Sequence, residues 1–172
     1  DLYYIAPKVW AWKEKRVHRL KKFVDRLFII FPFEIEYFKK WGIDAIYNGN
    51  PLLDSVDNHP SATESKEEFC KRANINPDKT KVALLAGSRR GEIKYLLPRM
   101  IEVAKRYPSY QFLLACAPSM DIEFYKGIIG NKCSNIKLLV GETYSILRHS
   151  DAAIINSGTA SLEAALIGVP QV

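Results

Sequence analysis

Between Asp151 and Pro170 the chain reads DAAIINSGTASLEAALIGVP, and this stretch limits the architecture more than any other. Ala152 to Ile155 is a short apolar run, the pattern of a strand covered on both faces. Asn156, Ser157, Gly158 and Thr159 favour a loop, and Ser or Thr suits a helix N-cap. Ala160 to Ile167 is rich in Ala and Leu and favours helix, which Gly168 and Pro170 end. The product is a strand, a tight polar loop and a helix whose first N–H groups can face an anion. With Thr159 as the cap, Glu163 lies one place beyond the capping-box position and is free to reach a ligand hydroxyl. The alternative is that it only complements the helix dipole.

The same unit recurs upstream. Val82 to Ala86 reads as a strand, then Gly87-Ser88-Arg89-Arg90-Gly91 and a helix from about Glu92 to Arg106. Tyr110 to Cys116 is a strand before a helix at Asp121 to Ile129. Ile136 to Val140 is another, before Gly141-Glu142 and a short helix, Thr143 to His149. Apolar strands alternating with helices imply an α/β fold, a Rossmann-like parallel sheet with helices on both faces. Ligands of such sheets sit at the carboxyl ends of the strands. Gly87 to Gly91 is small and cationic, so backbone and guanidinium can approach a phosphate. Together with Asn156 to Thr159 it suggests a nucleotide diphosphate held between two loops. Neither loop is a GxxxxGK[ST] or GxGxxG motif.

The first third is different. Leu2 to Ile5, Arg26 to Phe31 and Ile43 to Tyr47 read as strands, and Phe33 to Trp41 as a helix. Val9 to Trp12 lead into a basic helix, with Trp10, Val17 and Val24 spaced by seven and Leu20 and Leu27 on the next ridge. The net charge is +6, and the segment from Lys8 to Arg26, with eight bases and two acids, accounts for all of it. Three readings fit that segment: an ordinary surface helix with its Trp residues in the core, a membrane-surface element, or a nucleic-acid binder. The last ranks lowest because no reader motif accompanies the charge. Asn48-Gly49-Asn50-Pro51 is a turn. The polar stretch Asp57 to Ser65 fits a linker, so residues 1–55, 56–65 and 66–172 are expected to be one domain end, a linker and a second domain.

Cys70, Cys116 and Cys133 have no metal spacing and an odd count, so inert thiols are expected and no disulfide framework. No apolar run approaches the ~18 residues of a membrane span. His18, His59 and His149 are scattered, and neither a metal nor another cofactor is expected. Asp1 enters directly into an apolar segment and Gln171-Val172 opens what reads as a strand, so the chain is expected to be part of a longer one.

PKVWAWKEKRV (Pro7 to Val17), GNPLLDSV (Gly49 to Val56), LLAGSRRGEI (Leu84 to Ile93) and NSGTASLEAALIGVPQV (Asn156 to Val172) together resemble the lipid-A-disaccharide synthase family, in order and spacing, along essentially the whole chain. The resemblance implies a GT-B glycosyltransferase with its active site in a cleft between two Rossmann-like domains. It implies transfer of 2,3-diacylglucosamine from UDP to 2,3-diacylglucosamine 1-phosphate (lipid X), without metal, on the cytoplasmic face of the bacterial inner membrane. Gly87, Ser88 and Arg89 match the family's phosphate-side loop, with Arg89 stabilising the leaving group. Asn156, Ser157, Gly158, Thr159 and Ala160 match the diphosphate loop, and Glu163 the acid that binds ribose hydroxyls. Gly141 and Glu142 lie where uracil is read. Gly49 and Asn50 fall at the cleft, with Asn50 where the family commonly has His, which removes a group able to titrate near neutral pH. Val9, Trp10, Trp12, Lys13 and Arg16 are the expected lipid contacts. The family's general base is expected outside this stretch, so the chain alone is expected to be inactive. A different UDP-GlcNAc enzyme of the same fold, or a non-enzymatic module for anionic membranes, are the alternatives. The first has no need of VWAW.

Overall fold

The computed structural model describes residues 1–131, 133–156 and 158–172. Contacts divide the chain into two compact units, Asp1–Asp54 and Ser55–Val172. Among the described residues no helix is long and apolar enough to cross a membrane.

The first unit is a three-stranded parallel sheet. Its strands β1 (Leu2–Tyr3), β2 (Arg26–Ile29) and β3 (Ala45–Tyr47) lie side by side in that order. The connections are helical: α1 (Val9–Trp12), α2 (Val17–Phe23) and α3 (Phe33–Lys40). The expected single basic helix is broken. Lys13 leaves helical geometry at φ −142°, and a 3-10 turn, Glu14–Arg16, precedes α2. Val24 is the extended residue that ends α2, and Leu27 belongs to β2, so the spacing of seven spans a helix and a strand. Val9, Val17, Leu20, Leu27, Ile29 and Phe38 form the core of this unit. Helix α4 (Pro51–Asp57) comes next in the chain.

The stretch expected as a polar linker is largely ordered turn. After α4 come a 3-10 turn, Pro60–Ala62, and helix α5 (Lys66–Ala73). His59 accepts from the N–H of Ser61, and Ser65 and Glu68 form a capping box, so local polar side chains supply the partners that open both turns.

The second unit holds strands β4 (Lys81–Leu85), β5 (Gln111–Cys116), β6 (Ile136–Val140) and β7 (Ala152–Ile155). Between them run α6 (Arg90–Arg106), α7 (Ile122–Ile129) and α8 (Thr143–Arg148), and α9 (Thr159–Ile167) comes after β7. All pairings are parallel, in the order β6-β5-β4-β7. Two apolar layers cover the sheet. One contains Leu84, Ile93, Leu97, Phe112 and Tyr125, the other Phe69, Ala83, Leu113, Ile146 and Ala164. Alternate residues of β4 and β5 feed opposite layers, which is why both strands read as continuous apolar runs. Each buried Phe or Leu here contributes roughly 1.5–3 kcal/mol by leaving water.

Strand order places the site. The chain winds from β4 outward to β5 and β6, then returns to the other side of β4 to lay down β7. The connections leaving β4 and β7 therefore diverge, and a crevice opens between their carboxyl ends, where doubly wound sheets take their ligands.

Candidate functional site

Leu85 pairs with Ile155 at the ends of β4 and β7, and the N–H of Asn156 donates to the Leu85 carbonyl at 2.9 Å. The two loops singled out in the sequence therefore emerge side by side. They border a cavity of about 500 Å³ lined by Gly87, Ser88, Arg89 and Glu92 from one loop and Asn156, Gly158, Thr159, Ala160 and Glu163 from the other. Ala117, Pro118 and Thr143 complete the wall. Ser157 lies outside the described residues.

Gly158, not Thr159, occupies the N-cap position of α9, at φ +137°, a conformation side chains resist. Gly158 supplies no side-chain cap to this helix, and Gly158, Thr159 and Ala160 at its start line the cavity, where a helix N-terminus favours an anion. Helix α6 also starts earlier than expected. Arg90 is its first residue and Arg89 its extended N-cap. The Glu92 carboxylate accepts from the N–H groups of Ser88 and Arg89, both at 3.3 Å, and from Arg89 Nη1 at 2.8 Å. The Arg89 guanidinium beside it holds the Glu92 carboxyl below its usual value. Gly87 sits at φ +100°, and a Cβ there would lie 2.5 Å from Glu92 Oε2 and 3.0 Å from Asn156 Nδ2. The positive φ favours glycine here, and an added Cβ would force the Glu92 and Asn156 side chains to shift. The Arg89 guanidinium itself remains open to solvent, with its side chain 83% exposed.

Glu163 projects from the second turn of α9 into the cavity, where Tyr144 Oη donates to its Oε1 at 2.7 Å. Burial first, then Glu163, push the Tyr144 hydroxyl up to about 12. Gly141, His59, Thr143 and Tyr144 line a smaller adjoining hollow of about 280 Å³ that shares Glu163.

Glu142 is not brought to either hollow. Its carboxylate takes two bonds from Arg72, Nη1 at 2.6 Å and Nη2 at 3.0 Å, and Arg72 also bonds Glu64. Arg72 holds Glu142 below the usual carboxylate range and fixes where the carboxylate stands. In the first unit, Asn50 Oδ1 accepts from the N–H of Leu52 at 3.0 Å and starts α4. Gly49 and Asn50 border a hollow of about 160 Å³ with Tyr4, Asn48 and Asp54.

The expected lipid contacts separate. Val9 is corrected: it is 2% exposed and packs in the core, because α1 turns that face inward. Trp10 donates its indole N–H to buried Glu34 at 2.8 Å and meets Phe33 edge-on, which ties it to the fold. Trp12 is 69% exposed, with Lys13 Nζ 4.6 Å and Arg16 Cζ 5.8 Å from its ring. The described residues hold no group of three His, Cys, Asp or Glu placed for a metal. Cys70 and Cys116 are buried, and burial pushes the Cys116 thiol up to about 11.

The sequence does not single out Glu92, Thr143, Tyr144 or Pro118. Pro118 lies just past the end of β5, so the carboxyl-end rule could have found it. Glu92 closes a capping box on Arg89 three residues before it, a local pattern that reading the helix as starting near Glu92 hides, whereas the partner of Tyr144 is set by the tertiary fold.

A family model described as lipid-A-disaccharide synthetase matches residues 1–172. A lipid-A-disaccharide synthase of Syntrophus aciditrophicus is 40% identical over 98% of this chain and 44% of its own length. That of Solibacter usitatus is 37% identical over 99% and 44%. The chain thus spans under half the length of these curated relatives. Among solved structures, a UDP-GlcNAc 2-epimerase of Neisseria meningitidis bound to UDP-GlcNAc superposes with a TM-score of 0.64 at 19% identity, covering 99% of this chain and 50% of that one. A glycosyltransferase of Rickettsia africae gives 0.55 at 13% identity, covering 98% and 48%. The α/β fold of GT-B type expected from the sequence is the fold found.

Proposed function

The chain belongs to the lipid-A-disaccharide synthetase family, and from that membership we propose that its second unit holds the UDP part of a UDP-sugar donor. The full protein then transfers 2,3-diacylglucosamine from UDP-2,3-diacylglucosamine to 2,3-diacylglucosamine 1-phosphate (lipid X). The acceptor 6-hydroxyl attacks the anomeric carbon and gives its proton to a general base of the full protein, the bond from that carbon to the diphosphate breaks, and UDP leaves with the electron pair. The product is a β-1',6-linked disaccharide.

The observation that carries the reading is the cavity at the switch point between β4 and β7. It gathers the N-terminus of α9, the Gly87 loop and the exposed Arg89 around one volume. Fixed N–H dipoles and a guanidinium favour the charge that grows on departing UDP more than the charge of the bound donor, which is the condition for catalysis. Gly87, Ser88, Arg89, Asn156, Ser157, Gly158, Thr159 and Ala160 serve the diphosphate, and Glu163 the ribose hydroxyls. Gly141 borders the base. Glu142 supports that wall through Arg72 and does not contact the base directly.

Residues 1–55 belong to the acceptor and membrane side and 66–172 to the nucleotide side, with 56–65 between them, a reading supported by the division near Asp54. Trp12 with Lys13 and Arg16 supports attachment to anionic lipid on the inner face of the inner membrane. The basic surface serves lipid and not nucleic acid.

The test is disaccharide formation by the full-length protein, measured by mass spectrometry with both lipid substrates present. Arg89→Ala is expected to lower kcat by about 10²-fold. A folded protein that forms no disaccharide but interconverts UDP-GlcNAc epimers would overturn the transferase reading.

A further inference from the structure

Glu163 does not stand alone. Tyr144, in the first turn of α8, donates to Glu163 Oε1 at 2.7 Å. With its hydroxyl pushed up to about 12 by burial and by Glu163, Tyr144 remains a donor at any physiological pH. The tyrosine is itself held. His59 packs edge-on against its ring, with centroids 4.9 Å apart at 76°, and His59 Nδ1 lies 2.8 Å from Ser61 Oγ. Thr143 and Glu163 line both the main cavity and the smaller hollow, so the Tyr144–Glu163 bond lies where the two meet.

A glutamate at a cavity wall has three side-chain torsions and samples several rotamers unless something fixes it. An ionised carboxylate offers about four acceptor positions on two oxygens. Tyr144 occupies Oε1, and among the described residues Oε2 has no hydrogen bond; the same bond orients it. The geometry points to Tyr144 as the positioning residue for Glu163: it fixes the carboxylate so that Oε2 accepts from the ribose 2′-hydroxyl, and the pair makes the site selective for ribonucleoside over 2′-deoxyribonucleoside diphosphates. The inference rests on the nucleotide reading above and deepens it. Its chemistry is that of a site built to bond a hydroxyl. An analogue lacking that hydroxyl leaves a carboxylate acceptor facing hydrocarbon. Because Glu163 is only half-buried, water repairs part of the loss, and the discrimination is of order tenfold, not the 10⁴ of a sealed site.

The experiment is calorimetric titration of the chain, of Glu163→Ala and of Tyr144→Phe with UDP and with 2′-deoxy-UDP. The wild-type chain should bind UDP about tenfold more tightly, and Glu163→Ala should bring the ratio close to one. Tyr144→Phe should weaken UDP about fivefold, leave 2′-deoxy-UDP nearly unchanged and so collapse most of the ratio. A merely structural Tyr144 would weaken both ligands equally. If Glu163→Ala abolishes the preference and Tyr144→Phe keeps it, this inference falls and the ribose role of Glu163 stands. If the wild-type chain shows no preference, both fall. Should Tyr144→Phe not fold, ¹³C spectra of the wild-type chain decide. UDP should move the Glu163 Cδ and Tyr144 Cζ resonances together, 2′-deoxy-UDP much less, and a Tyr144 signal that ignores UDP overturns the inference.

Discussion

Gly87→Ala isolates the geometry of the phosphate-side loop. Gly87 has φ +100°, and holding a non-glycine residue in such a region costs about 1–3 kcal/mol. The new methyl would also stand 2.5 Å from Glu92 Oε2 and 3.0 Å from Asn156 Nδ2. Glu92 can swing aside, but its carboxylate is what accepts from the N–H groups of Ser88 and Arg89. Moving it gives up both bonds. The variant should therefore lose about 1–3 kcal/mol of unfolding free energy from the backbone strain, read from urea denaturation of the second unit. Its remaining folded population should bind UDP roughly 10–100-fold more weakly, the equivalent of one charge-assisted hydrogen bond of about 1.5–3 kcal/mol. Gly91→Ala is the control. Gly91 lies in the first turn of α6 with nothing within 4 Å of an added Cβ, so it should be neutral or stabilise by up to about 1 kcal/mol. A Gly87→Ala chain that binds UDP like wild type would refute the assignment of this loop to the diphosphate.

Three further outcomes are expected. Phe69 is 0% exposed in the second unit, and Phe69→Ala should cost about 3–5 kcal/mol in urea denaturation; a loss under 1 kcal/mol would mean that the α5 layer is not packed as described. His149 stacks on Phe69 and burial lowers its pKa, so the unfolded chain takes up a proton near pH 6.5 that the folded one resists. Stability from this group is therefore full above pH 6.5 and declines below it, and denaturation at pH 7.5 and 5.5 should show a drop that His149→Gln reduces. Trp12→Ala should weaken binding to vesicles containing anionic phosphatidylglycerol by about tenfold without loss of stability, whereas Trp10→Ala should destabilise the fold by stranding Glu34; equal vesicle binding by Trp12→Ala would remove Trp12 from the lipid contact.

The strand–loop–helix units of the second half are legible in the sequence because their signals are local. Ala152 to Ile155 is apolar without interruption, and Gly168 and Pro170 close the helix after it. That the loops after β4 and β7 meet depends on the strand order, which no local pattern carries. The spacing of seven overextends the basic helix because Val17, Leu20 and Leu27 all face one core, and a strand residue can satisfy a helical spacing by coincidence. Val9 reads as a lipid contact, yet a one-turn helix has an inner face, and Val9 is on it. Glu142 reads as lying on the uracil side, and the sequence does not show that a guanidinium seventy residues upstream bonds it. Tyr144 escapes the sequence for the same reason, whereas Glu92 is missed because the start of α6 is set two residues too late, which hides its capping box with Arg89.

The most direct test of the central claim is UDP binding by calorimetry to this chain and to Glu163→Ala. Measurable binding that weakens at least tenfold in the variant is the predicted result, since a carboxylate accepting from ribose contributes about 1.5–3 kcal/mol. A folded wild-type chain and a folded variant that bind UDP equally well would contradict the placement of the nucleotide at the crevice between β4 and β7.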